Sequence, residues 1–257
     1  MESKDIQSYL TTKLFGRNLI YLSTVDSTNQ KAKLLIKEGV VSGTVVIADE
    51  QTAGRGRLNR NWLSEPGKNL LFSVIIKPTI ANEQIGVISL YAGLAVAKAI
   101  EEALQIKPVC KWPNDLLLGE KKFCGILSEA IFEDNELVGV VVGIGINVNQ
   151  LNFPEEIREK ATSLQRELGK EINRFELLNF VLNKMEYYYN KIQKGSINLI
   201  IKEWVHYTKM FGQNISVKQN REEINGIALR LAEDGGLIIS TAKGELKVLA
   251  GDVTICS

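Results

Sequence analysis

Asp49-Glu50-Gln51-Thr52-Ala53-Gly54-Arg55-Gly56-Arg57-Leu58-Asn59-Arg60-Asn61-Trp62 follows directly on the apolar run Val45-Val46-Ile47-Ala48. This reads as a strand delivering the chain into a binding loop. Glycine lacks a Cβ, so the backbone at Gly54 and Gly56 can approach a ligand closely. Successive N–H groups in such a turn form an anion-binding nest. Arg55, Arg57 and Arg60 add forked, permanently charged donors suited to phosphate or carboxylate oxygens. Trp62 offers a flat face for stacking a ring. The loop is built to hold an anion beside a planar group, and a nucleotide is the obvious candidate. The spacing is neither the P-loop pattern, since no Gly-Lys-Ser/Thr follows, nor the dinucleotide fingerprint. A flexible basic turn or an arginine-rich RNA contact has the same composition, so the loop alone leaves its ligand open.

Composition narrows the setting. At 257 residues the chain suits one large domain, or a domain of about 200 residues with a small satellite. Hydrophobic residues make up 45% and charged residues 24%, which supplies a sizeable core. Lys plus Arg (31) nearly balances Asp plus Glu (30), so there is no general field for nucleic acid or an anionic membrane. Cys110, Cys124 and Cys256 form no C-x-x-C pair, which fits a reducing cytosol. The N-terminus lacks a signal-peptide pattern, and no apolar run reaches the roughly 18 residues of a membrane helix. A cytoplasmic protein without membrane contact is expected.

Outward from the loop, residues 1–20 have Ile6, Leu10, Leu14 and Phe15 at helix-like spacing, too few for a separate domain. Tyr21–Val25 reads as a strand. Asp26-Ser27-Thr28-Asn29 precedes an amphipathic run, which is the ordinary signature of a helix cap. Asn69–Pro78 is a strongly apolar strand, and residues 83–104 repeat apolar side chains at helical period. Lys111-Trp112-Pro113-Asn114-Asp115 is a proline-fixed turn between strands. Residues 123–130 and 137–149 read as a hairpin joined at Glu133–Glu136, with Gly139, Gly143 and Gly145 marking close approach on one face. Residues 154–168, 174–194 and 196–207 are helical by period; from Asn214 only short strands follow. Strands alternating with helices, then strands alone, argue for an α+β domain with a β satellite.

Gln51 with Gly54-Arg55-Gly56-Arg57, the Lys111–Asp115 turn, Lys122 with Gly125, and Gly143-x-Gly145-Ile146-Asn147 occur in this order on strand ends. That set closely resembles the biotin–protein ligases over about residues 21–257. The resemblance implies a mixed or antiparallel sheet packed by helices, the class II synthetase-like arrangement, with a small C-terminal SH3-like β-barrel. On it, residues 1–20 are a short N-terminal segment, 21–211 the catalytic domain and 212–257 the barrel. It further implies two steps: biotin and ATP give biotinyl-5′-AMP and pyrophosphate, and the biotinyl group then passes to one lysine of a carboxylase's biotin carboxyl carrier domain.

Carried over motif by motif, Ser27, Thr28, Asn29 and Gln51 would meet the ureido head, with Arg55, Gly56, Arg57 and Gly125 lining the same pocket. Hydroxyls and amides supply the donors and acceptors a urea needs. Lys122 would hold the biotin carboxylate and then the adenylate phosphate. Trp62 would stack adenine, and Arg57, Arg60, Asn114 and Asn147 would contact the nucleotide. Attack on the α-phosphorus builds negative charge on phosphoryl oxygens, so the catalytic work falls to positioned cations, Arg55, Arg57 and Lys122, with Mg²⁺ accompanying ATP. No residue is assigned as a metal ligand. A lone histidine, His206, excludes a histidine cage and a Ser-His-Asp triad.

Two departures stand out. Leu58-Asn59 occupies the place where the family has a further residue and then glycine; asparagine tolerates positive φ best among the others. Some relatives carry an N-terminal DNA-binding helix-turn-helix, which residues before Tyr21 are too few to hold, so no DNA binding is expected. Pairing through sheet edges in the family implies a possible homodimer. The rival reading is a lipoate or octanoate ligase or transferase, kept open by Cys124 near Lys122.

Overall fold

In the computed structural model, residues 2–219 and 222–256 are described. Helix α1 (Ser3–Gln7) and strand β1 (Leu19–Val25) lead to helix α2 (Thr28–Lys37), then strands β2 (Val45–Gln51) and β3 (Leu70–Ile76). Helix α3 (Val87–Leu104) precedes β4 (Val109–Lys111), β5 (Asp115–Leu118), β6 (Lys121–Glu133) and β7 (Glu136–Ile146). These strands form a seven-stranded sheet in the order β1-β2-β3-β7-β6-β5-β4. β1 and β2 run parallel, and every other neighbouring pair is antiparallel.

The alternation of side chains along the strands sorts the core into two layers. Val45, Ile47, Phe72, Val74, Ile76, Val140 and Val142 face the main core with α3. Their neighbours Val46, Ile75 and Val141 face the other side, against Ala32, Leu35 and Ile36 of α2. Buried Ala92, Gly93, Ala95 and Ala97 keep α3 thin enough to lie close to the sheet. Short helices α4 (Glu155–Arg158) and α5 (Leu164–Leu168) are followed by α6 (Arg174–Gln193) and α7 (Ile197–Trp204), which pack on α3.

The C-terminal unit is the expected SH3-like antiparallel barrel. It comprises β8 (Asn214–Gln219), β9 (Glu222–Leu231), β10 (Leu237–Thr241), β11 (Gly244–Val248) and β12 (Asp252–Ile255), ordered β11-β10-β9-β8-β12. Its interior residues Val217, Ala228, Leu237, Ile239 and Val253 join the same continuous core as the seven-stranded sheet and α3. Trp112 is buried and donates its Nε1–H to the Gly235 carbonyl at 3.0 Å. A Cβ on Gly86 would lie 2.7 Å from the Asp234 carbonyl, so that glycine lets the barrel's 233–236 turn sit on the start of α3.

Two stretches differ from their periodicity. Residues 154–168 do not form one helix, because the intervening segment pairs with β6: the Lys122 N–H donates to Lys160 O at 2.8 Å and Thr162 N–H to Lys122 O at 2.9 Å. Ser163 then caps α5, accepting from the Arg166 N–H at 3.2 Å. In the N-terminal segment only Ser3–Gln7 is helical; Ile6, Leu10 and Phe15 are buried and Leu14 is not. The Glu186 carboxylate gathers the N–H groups of Lys13, Leu14 and Phe15 at 3.0, 2.6 and 2.9 Å, an anchor stronger than helix propensity over so few residues.

Burial alone would raise the pKa of Glu186, but those three N–H groups and Arg17 outweigh it and hold the carboxyl below its usual range. A depressed folded pKa contributes stability above the unfolded value of about 4.3 and loses it as pH falls through the folded value. Glu186→Gln should therefore lower the melting temperature at neutral pH, with the difference from the unsubstituted chain shrinking below about pH 4. Parallel melting curves at several pH values measure this.

Candidate active site

The helix cap at the start of α2 is not spent on the helix. Ser27 has the extended backbone of an N-cap, yet its side chain makes no cap hydrogen bond. The Thr28 N–H is satisfied instead by Gln51 Oε1 at 2.8 Å, from the end of β2. Ser27, Thr28, Asn29 and Gln51 thus line one cavity of about 140 Å³. Asn29 is fully engaged within the protein: Nδ2 donates to Glu129 Oε2 at 2.7 Å, and Oδ1 accepts from Ser73 at 2.6 Å.

Gly125 on β6 and Gly145 on β7 are directly paired, and the indole of Trp62 lies against them. A Cβ on Gly145 would sit 2.6 Å from the ring and one on Gly125 2.8 Å from it, so both must be glycine for the indole to lie there. Lys122 Nζ stands 5.5 Å from the centroid of the same ring. It pairs with Asp115 Oδ1 at 2.7 Å. One cation therefore reaches the cavity from a strand whose backbone is clamped on both edges.

The arginine loop closes over this floor and fastens to the barrel. Arg57 Nη1 donates to Asn114 Oδ1 at 2.9 Å and to the Gly251 carbonyl at 3.3 Å. Asn114 Nδ2 in turn holds Ile126 O at 2.8 Å. Arg60 pairs with Asp252, which also lies 3.9 Å from Arg57. Burial pulls the Arg57 pKa below the usual guanidinium value, with Asp252 and Asp115 opposing that shift and Arg60 adding to it. Arg55 is exposed and lies at the rim, while Gly56 lines the wall. Asn59 takes φ 57°, as its tolerance predicts, but Leu58 also takes φ 53°. A non-glycine residue held there costs about 1–3 kcal/mol and marks a loop constrained by its contacts.

Of the residues expected from sequence, all but Asn147 line this cavity. Asn147 lines an adjoining, mainly apolar cavity of about 170 Å³ with Phe153, Ile157 and Ala161. Trp62 and Lys122 belong to both. Asn147 Nδ2 donates to Thr162 O at 3.1 Å, leaving its buried Oδ1 without a partner. Sequence reasoning missed Asp252, which arrives from the barrel with no local signal. It also missed Ser73, whose signal was present: a single hydroxyl within Leu70–Ile76, an otherwise apolar strand buried throughout. Cys124 is fully buried and burial pushes its thiol well above the usual range, which leaves it without the thiolate that acyl transfer through cysteine requires. Among the described residues no three His, Cys, Asp or Glu side chains are grouped to hold a metal ion, and no helix is long and apolar enough to cross a membrane.

The sheet, the arginine loop and the barrel identify the class. Residues 21–147 match the biotin/lipoate A/B protein ligase family and residues 210–255 the biotin protein ligase C-terminal domain; the chain belongs to that family. It is 35% identical over 257 residues to the bifunctional ligase/repressor BirA of Bacillus subtilis, spanning 99% of this chain and 79% of that one. It is 30% identical to the biotin–[acetyl-CoA-carboxylase] ligase of Mycobacterium tuberculosis, over 92% and 88% of the two chains. The biotin protein ligase from Aquifex aeolicus, solved in complex with biotin and ATP, superposes with a TM-score of 0.81 at 35% identity, covering 93% of this chain and 99% of that one.

Proposed function

We propose that this protein is a biotin–protein ligase that forms biotinyl-5′-AMP and then transfers biotin to a lysine of a biotin carboxyl carrier domain. The observation that carries the reading is the pair of joined cavities sharing Trp62 and Lys122. The first offers a polar end at Ser27, Thr28 and Gln51 and a cation at Lys122, which suits a molecule with a urea at one end and a carboxylate at the other. The second suits a purine: apolar walls, the Trp62 ring, and the unpartnered Asn147 Oδ1 to accept from an exocyclic amine. The carboxylate and the α-phosphate then meet at the junction beside Lys122.

Chemistry at that point needs no protein nucleophile. The biotin carboxylate attacks the α-phosphorus, the bond to the bridging oxygen breaks and pyrophosphate leaves. Lys122 and Arg57 stabilise the charge that grows on the phosphoryl oxygens. The divalent cation enters with ATP as part of the substrate. In the second step the acceptor amine attacks the acyl carbonyl and AMP departs. Solvent exclusion by the arginine loop, pinned to Gly251 and Asp252, keeps water from taking the amine's place.

The test is ATP–pyrophosphate exchange with biotin and lipoate in competition. Exchange driven by biotin supports the reading; exchange driven by lipoate alone overturns it.

A further inference from the structure

The arginine loop leaves the sheet at a fork. β2 and β3 stay paired from Val45–Val74 as far as Ala48–Leu71 and then part. The outgoing stem follows β1, with Gln51 opposite Val25, while the returning stem stays on β7, with Leu70 opposite Ile146. Beyond Ala48 the two stems therefore need bonds other than the ladder between β2 and β3 to keep their register. Arg174, the first residue of α6, spans the gap. Its Nη1 has two hydrogens and gives one to Asp49 Oδ1 at 3.1 Å and the other to the Asn69 carbonyl at 2.8 Å. The Arg174 side chain is only 14% exposed, so water and salt compete weakly for these bonds.

Each stem is backed on its far side. The Tyr21 hydroxyl donates to the second carboxylate oxygen, Asp49 Oδ2, at 2.5 Å and so turns Oδ1 toward Arg174. Asn69 is fully buried: its Oδ1 accepts the Val148 N–H at 3.0 Å and its Nδ2 donates to Gln150 Oε1 at 2.6 Å. Arg174 is itself fixed in place, because Ile172 exchanges two hydrogen bonds with the Asn149 side chain, at 2.8 and 3.0 Å. Both stems and the stretch that follows β7 are thus tied to the start of α6. That stretch begins at Asn147, so one guanidinium sets the arginine loop relative to the wall of the second cavity.

We propose that Arg174 is a positioning residue that pins the fork of the arginine loop and holds the unliganded chain in the arrangement that takes biotin. The ligand named rests on the biotin-ligase reading; the pin rests on the fork. Where only a fraction of chains holds a competent arrangement, the apparent dissociation constant is the intrinsic one divided by that fraction. Losing the pin therefore weakens biotin binding, while saturating biotin draws the loop back and restores turnover. A planar fork of donors keeps two directions at once, which a lysine's point charge does not.

The test uses the full chain in two arms. Without ligand, amide hydrogen exchange over residues 52–66 should be about tenfold faster in Arg174→Gln, with that of Leu70–Ile76 unchanged. In biotin-dependent pyrophosphate exchange, KM for biotin should rise about tenfold while kcat stays within about twofold. Tyr21→Phe leaves every charge in place and should shift both readouts the same way, by about threefold. The double variant should match Arg174→Gln alone, since Tyr21 acts on the fork through the bond between Asp49 and Arg174. Unchanged loop exchange, a fall in kcat at constant KM for biotin, or additive effects in the double variant overturns the pin. If Arg174→Gln fails to fold, Tyr21→Phe decides. If the unsubstituted chain shows no exchange with biotin, the ligase reading falls and the unliganded arm alone decides the pin.

Discussion

Lys122→Ala lowers biotin-dependent ATP–pyrophosphate exchange on the order of 100- to 1000-fold, the usual effect of removing one preorganised charge donor. Three features of the site argue for an effect of that size. Lys122 is common to the two cavities, where the proposed reading brings carboxylate and α-phosphate together. Its backbone is held by Lys160 and Thr162, so the ammonium is delivered by a rigid strand. Its partner Asp115, 2.7 Å away, would be left as an uncompensated carboxylate facing an anionic substrate. The side chain is 35% exposed, so its removal opens no core cavity and the melting curve should be nearly unchanged. Lys122→Arg should recover part of the rate, since charge is kept and position is not. Exchange by Lys122→Ala within a few-fold of the unsubstituted protein would show that the charge is supplied elsewhere.

Arg57→Ala makes the bound adenylate escape. Arg57 is the only arginine of the loop that donates both to the catalytic sheet's Asn114 and to the barrel's Gly251 among the described residues. On the proposed reading its loss removes a phosphate partner and unfastens the loop, so adenylation slows and the intermediate is released before an acceptor lysine arrives. The adenylate dissociation rate, followed by rapid filtration after single-turnover formation, should rise on the order of 100-fold. Retention equal to that of the unsubstituted protein would assign loop closure to Arg60 and Asp252 alone.

How much of this could be read from residue order varies with the range of the interaction. The sheet and α3 were legible because burial on two faces or one leaves a periodic trace in Val45–Ala48, Asn69–Ile76 and Val87–Leu104. The 49–62 loop was legible because glycine, arginine and tryptophan together serve few purposes besides binding. Ser27 does stand at the N-cap position and in the cavity lining, but its side chain makes no cap hydrogen bond, and the Thr28 N–H goes to Gln51 from a distant strand, a pairing that residue order did not mark. The break in 154–168 was invisible because it is imposed by pairing with Lys122, more than thirty positions away. Asp252 illustrates the limit, since a single acid in a terminal strand carries no mark of the arginine it meets across 192 residues.

The barrel and the catalytic layer share one uninterrupted apolar interior, and Trp112 reaches across their junction. Neither part is then a detachable module. Heating should melt them in a single cooperative transition, and a chain cut after Phe211 would shed the Gly251 and Asp252 anchors of the arginine loop along with the shelter of its own α3. Grafting this barrel between relatives would for the same reason exchange part of the chemistry, not an accessory.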